Sequence, residues 1–261
     1  NMAEHFDLEA MGHNTAEYVH TMVELKKLAF TDRDRYVADP FFVDVPVERL
    51  ISESYAADLA DGVGERATTP ESRDDSNDTV YLAVVDSAGN AVSLIESLFS
   101  MFGSGRMVPG TGIILQNRGS LFTLDPAHPN LLAPGKRPYH TLSPSMVLHP
   151  DGSLFMVFGT PGGDGQTQTL AQVFNNIVLF GMTPQQAIEA PRWRSYSGGR
   201  LALEPDYGQE VASALAALGH DVDLRDSYSS AFGGAQVILV DRSGALRTGA
   251  DFRREGYAVA W

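Results

Sequence analysis

Asn77-Asp78-Thr79-Val80-Tyr81-Leu82-Ala83-Val84-Val85-Asp86-Ser87-Ala88-Gly89-Asn90-Ala91-Val92-Ser93-Leu94-Ile95-Glu96-Ser97 is the stretch around which the chain is organised. It reads as an exposed acidic turn, a strand opening at a threonine, and a hairpin back. Val80, Leu82 and Val84 alternate with Tyr81, Ala83 and Val85, and the alternation resumes from Ala91 to Ser97. A threonine opening a strand has two readings. Thr is a good strand residue in its own right. Alternatively, the chain is cut before Thr79, which leaves its hydroxyl beside a new α-amine able to serve as its general base.

The residues upstream suit such a cut. From Ala60 to Asp78 the sequence loses periodicity and becomes rich in Gly, Thr, Ser and Asp. Segments of low apolar content are where cleavage concentrates. A plain interdomain linker has the same composition, so both readings stand at this point.

Composition narrows the function classes. The 261 residues carry 43% hydrophobic and 20% charged residues, which is ordinary for a globular protein. A net charge of −14 argues against nucleic acid and anionic membrane as partners. No apolar run reaches the length of a membrane span. Without cysteine there is no disulfide framework, thiol nucleophile or thiolate metal site. The seven histidines lack the spacing of a zinc or di-iron site, so no metal or cofactor is expected. Asn1 to His5 lacks the basic start and apolar core of a signal peptide. The compartment, cytoplasmic or periplasmic and secreted, is not readable.

Upstream of the linker, Asn14 or Thr15 is placed to cap a helix running to about Phe30. Asp32 to Tyr36 alternates in charge and reads as a solvated, self-paired surface. A second helix is expected between Pro46 and Leu59. Downstream, glycines cluster at 103–105 and 110–112, and a proline-bounded loop runs from Pro134 to Pro144. A hairpin follows, with Met146–Leu148 and Leu154–Phe158 flanking Asp151-Gly152.

That hairpin enters Gly159-Thr160-Pro161-Gly162-Gly163-Asp164-Gly165 and then a helix of about 166–180. Glycines between a strand and a helix N-terminus aim backbone N–H groups at one point. The P-loop lysine is missing and no dinucleotide fingerprint fits. An oxyanion hole for acyl transfer and a purely structural turn are the remaining readings. Further helices are expected from Thr183 and over about 209–218, and a last strand over 235–241. Hairpins separated from runs of helices suggest antiparallel sheets with helices layered outside.

Together these motifs resemble the γ-glutamyltransferase family of N-terminal-nucleophile hydrolases. The resemblance is carried by Asp78-Thr79, Asp86 with Gly89-Asn90-Ala91-Val92, Phe102 to Gly105, Gly112 to Leu115 and Lys136-Arg137-Pro138. Ser143-Pro144, Pro161-Gly162-Gly163 and Ala190-Pro191-Arg192 complete it. It implies an α+β fold, an αββα sandwich, made as a proenzyme that cuts itself between Asp78 and Thr79. Residues 1–78 would then end a large subunit and 79–261 would form the small catalytic subunit. Thr79 would attack an amide carbonyl, and Gly162 and Gly163 would supply N–H groups to the oxyanion. Ser97 and Thr141 stand where the family has a threonine and a serine, each keeping the hydroxyl.

Departures from the family point to an altered substrate. Positions that hold a γ-glutamyl amine and carboxylate in the family read Phe99, Arg118, Leu121 and His140 here. Losing an aspartate at Leu121 removes the partner of an α-ammonium, while Arg118 adds a cation able to clamp a carboxylate. Phe99 would shorten or dry the pocket, and His140 either contacts substrate or packs. Asn117-Arg118-Gly119, Pro138 to Leu142 and Gly163 to Gln166 resemble most the oxamate amidohydrolase branch, with glutaryl-type acylases as neighbours. The expected substrate is therefore a small amide bearing a carboxylate. A genuine γ-glutamyltransferase or glutathione hydrolase is the alternative enzyme, and a silent relative acting as a binding or assembly module is the other.

The family also uses an arginine from the early large subunit, which these residues do not contain. The chain is thus expected to be the C-terminal half of a longer polypeptide, partnered by the remaining N-terminal part. A homodimer or heterotetramer is the assembly expected.

Overall fold

The computed structural model describes residues 1–70 and 78–261. Residues 71–77 of the expected linker lie outside the described residues.

Helix α1 (Leu8–Met11) leads into α2 (Ala16–Tyr36). Thr15, not Asn14, caps α2, its hydroxyl accepting from Tyr18 N at 3.2 Å. Asn14 bonds instead to Pro191 O and receives the Tyr207 hydroxyl. The helix continues through the charge run expected as solvated surface. Arg33 is drawn inward there and pairs both with Asp34 and with Asp164 across the fold.

The single helix expected over 46–59 divides into α3 (Val47–Leu50) and α4 (Glu53–Ala60). The Ser52 hydroxyl accepts from Tyr55 N at 3.3 Å and starts the second helix afresh.

Strands β1 (Asp78–Val85) and β2 (Ala91–Phe99) form the expected antiparallel hairpin. Asp86 closes its turn by accepting from Ala88 N, Asn90 N and Asn90 Nδ2. A second sheet, in the order β3-β4-β8-β9, contains β3 (Ser145–Leu148), β4 (Leu154–Gly159), β8 (Gln236–Val240) and β9 (Leu246–Ala250). The strand expected to be last is thus followed by another. The β1–β2 hairpin stacks on β4 and β8. Helices α5 (Gly165–Val178) and α6 (Pro184–Glu189) cover the other face. Three layers of the αββα sandwich are therefore present among the described residues.

Two glycines set how closely these layers approach. A Cβ on Gly159 would lie 2.1 Å from the Tyr81 ring, so β1 rests on bare backbone at the end of β4. A Cβ on Gly249 would lie 2.7 Å from the Pro184 carbonyl carbon, where α6 crosses β9. The apolar core here is Met156, Phe158, Leu170, Val173, Ile188 and Val237.

A third sheet departs from the antiparallel expectation. In β5 (Trp193–Ser195), β6 (Arg200–Leu203) and β7 (Asp221–Leu224), β6 and β7 run parallel. Helix α7 (Gly208–Ala217) supplies the crossover that parallel strands need. Tyr18, Val19, Met22 and Val23 of α2 pack there against Trp193, Leu201 and Leu215. Arg192 pairs with Asp251 and Arg253 with Glu204, all buried, which pins the turn at 252–254 onto this sheet.

The outer face of the hairpin is different. Val80, Leu82, Val84, Val92 and Leu94 are all exposed on it. No helix of the described residues is long and apolar enough to cross a membrane.

Candidate active site

Thr79 begins the regular part of β1, and its Cα pairs with that of Ser97 on β2. Because both residues sit on one face of the hairpin, their hydroxyl oxygens meet at 2.9 Å. The register slips immediately before Thr79, where Asp78 pairs with Phe99 instead of continuing the ladder. Phe99 takes up the slip at φ +78°, a conformation that costs a non-glycine residue about 1–3 kcal/mol. A bulge therefore lies opposite the expected cleavage junction.

The Ser97 hydroxyl oxygen also accepts from Phe99 N at 2.9 Å and from Arg118 Nη2 at 2.8 Å. Arg118 is only 6% exposed. It is held in place by Asn117, whose amide exchanges two hydrogen bonds with Ser100 at the end of β2. The guanidinium lies 5.0 Å from the Phe99 ring centroid, and its Nη1 reaches Thr141 Oγ1 at 3.4 Å. Thr79, Ser97, Phe99, Arg118 and Thr141 thus form one connected cluster. Leu121 is buried one turn beyond Arg118, its carbonyl receiving Asn130 Nδ2.

Gly162 and Gly163 occupy the turn from β4 into α5 with φ values of +152° and +53°. Only glycine takes that sequence of angles without strain. Their carbonyls accept from Gly165 N and Gln166 N in the first helical turn. Among the described residues no acceptor takes the N–H of either glycine. Pro161 shares with Thr79 a groove of about 400 Å³. On the other side, Gly163 and Thr141 line a cavity of about 180 Å³ together with Arg33, Tyr139, His140 and Asp164.

His140 reaches that cavity with part of its ring exposed, and its Nδ1 accepts from Leu142 N. Partial burial, aided by the Arg118 and Arg137 cations, lowers its pKa below the usual imidazole value. Tyr139 is shifted the opposite way, its phenol pushed well up by burial. The loop carrying these residues is held by Asp39, which accepts from Arg137 N, and by Gln166, which accepts from Ser143 N.

Sequence reading missed Arg33, Tyr139 and Asp164 as neighbours of this site. Arg33 looked like one charge among many, and nothing in its spacing indicates a partner beyond Asp34. The fold also gathers His20, Glu24 and His220, with ligand atoms all within 4.8 Å of one another. The i, i+4 spacing of His20 and Glu24 on α2 was the available signal; His220 lies far along the chain. Here Lys27 Nζ holds Glu24 Oε1 at 2.6 Å while Thr68 occupies Oε2. The place of a cation beside that carboxylate is taken by the lysine. His20 Nε2 donates to Gly64 O and Lys27 to Thr68 O, so the group tethers residues 64–68.

The family model described as Gamma-glutamyltranspeptidase matches residues 1–261. The chain belongs to the γ-glutamyltranspeptidase family. Among its relatives, the glutathione hydrolase-like YwrD proenzyme of Bacillus subtilis is 43% identical, covering 99% of this chain and 50% of that protein. The oxamate amidohydrolase proenzyme of Klebsiella pneumoniae is 40% identical over 94% of this chain and 48% of its own length. A cephalosporin acylase from Bacillus halodurans superposes with a TM-score of 0.91 at 41% identity, covering 100% of this chain and 47% of that one. The chain spans about half the length of these γ-glutamyltranspeptidase relatives.

Proposed function

We propose that these residues form the catalytic part of a self-cleaving amide hydrolase acting on a small amide that carries a carboxylate beside the scissile carbonyl, such as oxamate. Residues 1–78 would end the large subunit, with its remaining N-terminal part as partner, and residues 79–261 would be the small subunit. After cleavage the Thr79 hydroxyl attacks the amide carbonyl and passes its proton to its own α-amine. Gly162 and Gly163 N–H groups receive the developing oxyanion. Collapse expels the amine, which takes the proton, and water then releases the acid from the acyl-enzyme.

The observation that carries the substrate class is the chain Thr79–Ser97–Arg118. Two hydrogen bonds, of 2.9 Å and 2.8 Å through one serine oxygen, separate the nucleophile from a buried guanidinium. Arg118 Nη2 therefore lies no further from Thr79 Oγ1 than those two bonds laid end to end. A carboxylate held by that cation sits next to the reacting carbonyl, not at the far end of a γ-glutamyl chain. The oxamate amidohydrolase among the relatives fits this reading. The glutathione hydrolase of Escherichia coli, at 32% identity, represents the alternative.

The test is intact mass followed by turnover. The full-length protein should separate into two fragments, the smaller beginning at Thr79. It should release ammonia from oxamate faster than p-nitroaniline from γ-glutamyl-p-nitroanilide. The reverse preference would restore the γ-glutamyl reading, and an uncut, inactive protein would leave a silent relative.

A further inference from the structure

We propose that Arg33 is a positioning residue for the oxyanion turn, acting through Asp164 from the opposite side of the cleavage junction; this rests on the Thr79 mechanism above. Gly162 and Gly163 have no side chains by which the fold could hold them, and their φ values are ones that glycine takes without strain. Asp164 is the next residue with a handle. It stands at the N-cap of α5, yet its carboxylate caps no N–H of that helix.

The carboxylate faces Arg33. Arg33 Nη1 donates to Asp164 Oδ1 at 2.6 Å, with side chains only 11% and 2% exposed. Tyr139 donates its hydroxyl to the same oxygen at 3.3 Å. The guanidinium is in turn fixed from its other sides. Its Nε donates to Asp34 Oδ1 at 2.8 Å, and the Phe30 ring lies 3.9 Å beneath it. A planar cation held at this many points has one orientation, and so does the carboxylate it binds.

The consequence is specific to the transition state. Oxyanion donors act by being aimed beforehand at the position where charge develops, and losing one costs about 10²–10³ in kcat. Loosening the turn without deleting it should cost less, and should leave ground-state binding by Arg118 and Thr141 in place. Arg33 lies before Thr79 in the chain, so in a processed protein this pair spans the two subunits. The large subunit would then contribute to the geometry of an oxyanion hole built wholly from the small one.

The experiment uses full-length protein with Arg33→Gln, Arg33→Lys and Asp164→Asn, measuring kcat, KM and hydrogen exchange over residues 160–166. Arg33→Gln should lower kcat ten-fold or more with KM changed less than three-fold, and should speed exchange in that segment. Arg33→Lys should recover part of both, which a fold defect in the glutamine variant would not explain. Unchanged kcat and unchanged exchange in Arg33→Gln would overturn the proposal, as would a raised KM at constant kcat. Should the parent prove uncut and inactive, the Thr79 mechanism falls separately, and the exchange result still decides whether Arg33 holds the turn.

Discussion

Thr79 Oγ1 and Ser97 Oγ lie 2.9 Å apart on facing positions of one hairpin, and the same Ser97 oxygen accepts from the Arg118 guanidinium at 2.8 Å. Ser97 therefore does two tasks at once. It holds the Thr79 hydroxyl, the nucleophile of the proposed mechanism, and it holds the cation that the proposal assigns to the substrate carboxylate. Ser97→Ala should lower kcat/KM about 10–100-fold, by loss of one oriented hydroxyl contact and of its hold on Arg118. Ser97→Thr, which keeps the oxygen, should retain most activity. Steady-state kinetics on the two variants check this.

Arg118 should discriminate among substrates. Arg118→Lys keeps the charge but loses the planar fork. KM for a carboxylate-bearing amide is expected to rise about ten-fold or more, with little change for a neutral amide of the same size. Equal effects on both substrates would show that Arg118 supports the fold of the site and does not bind a carboxylate.

The Gly159–Tyr81 contact is a test of the layer packing. Gly159→Ala places a methyl within 2.1 Å of the Tyr81 ring, so β1 must shift against β4. Overpacking of this kind costs about 1–3 kcal/mol. Denaturant unfolding should show that loss, and activity should fall with it because β1 carries Thr79. Gly159→Ala combined with Tyr81→Leu should recover part of both.

The His20–His220 tether should make stability depend on pH. Gly64 O can only accept, so His20 Nε2 carries its hydrogen, and His20 Nδ1 accepts from His220 Nε2–H. His220 Nδ1 is then a buried nitrogen with no partner among the described residues. Burial, with Lys27 and His20 adding, lowers the His220 pKa from 6.5 to about 4. The unfolded chain thus binds a proton between pH 6.5 and about 4 that the folded chain refuses. Stability should fall as pH drops through that window. His220→Gln should flatten this dependence in thermal melts taken at pH 7, 5.5 and 4.

Much of this protein was legible in its sequence because it is encoded locally. Alternation from Val80 to Ser97, the Asp86–Asn90 turn, the glycines before α5 and the Thr183 cap each act within a few residues of themselves, and the structure keeps them all. The resemblance of Asp78-Thr79 and Pro161-Gly162-Gly163 to one family then named the fold. Boundaries were less legible where a side chain makes its own choice, as when Ser52 restarts a helix.

What only the tertiary structure decided are relationships between residues distant in the chain. Sequence marks Arg33 as one charge in a run, but burial against Phe30 and pairing with Asp164 depend on how α2 lies over the β4–α5 turn. Arg118 could be proposed as a carboxylate clamp from its substitution alone. Its separation from Thr79 by a single serine oxygen required the register of β1 against β2. The parallel β6–β7 pair, the Gly159–Tyr81 contact and the His20–His220 tether have the same origin. Local propensity acts over a turn of chain, whereas a hydrogen bond or an ion pair requires its partners within a few ångströms in space, and only the assembled layers bring them there.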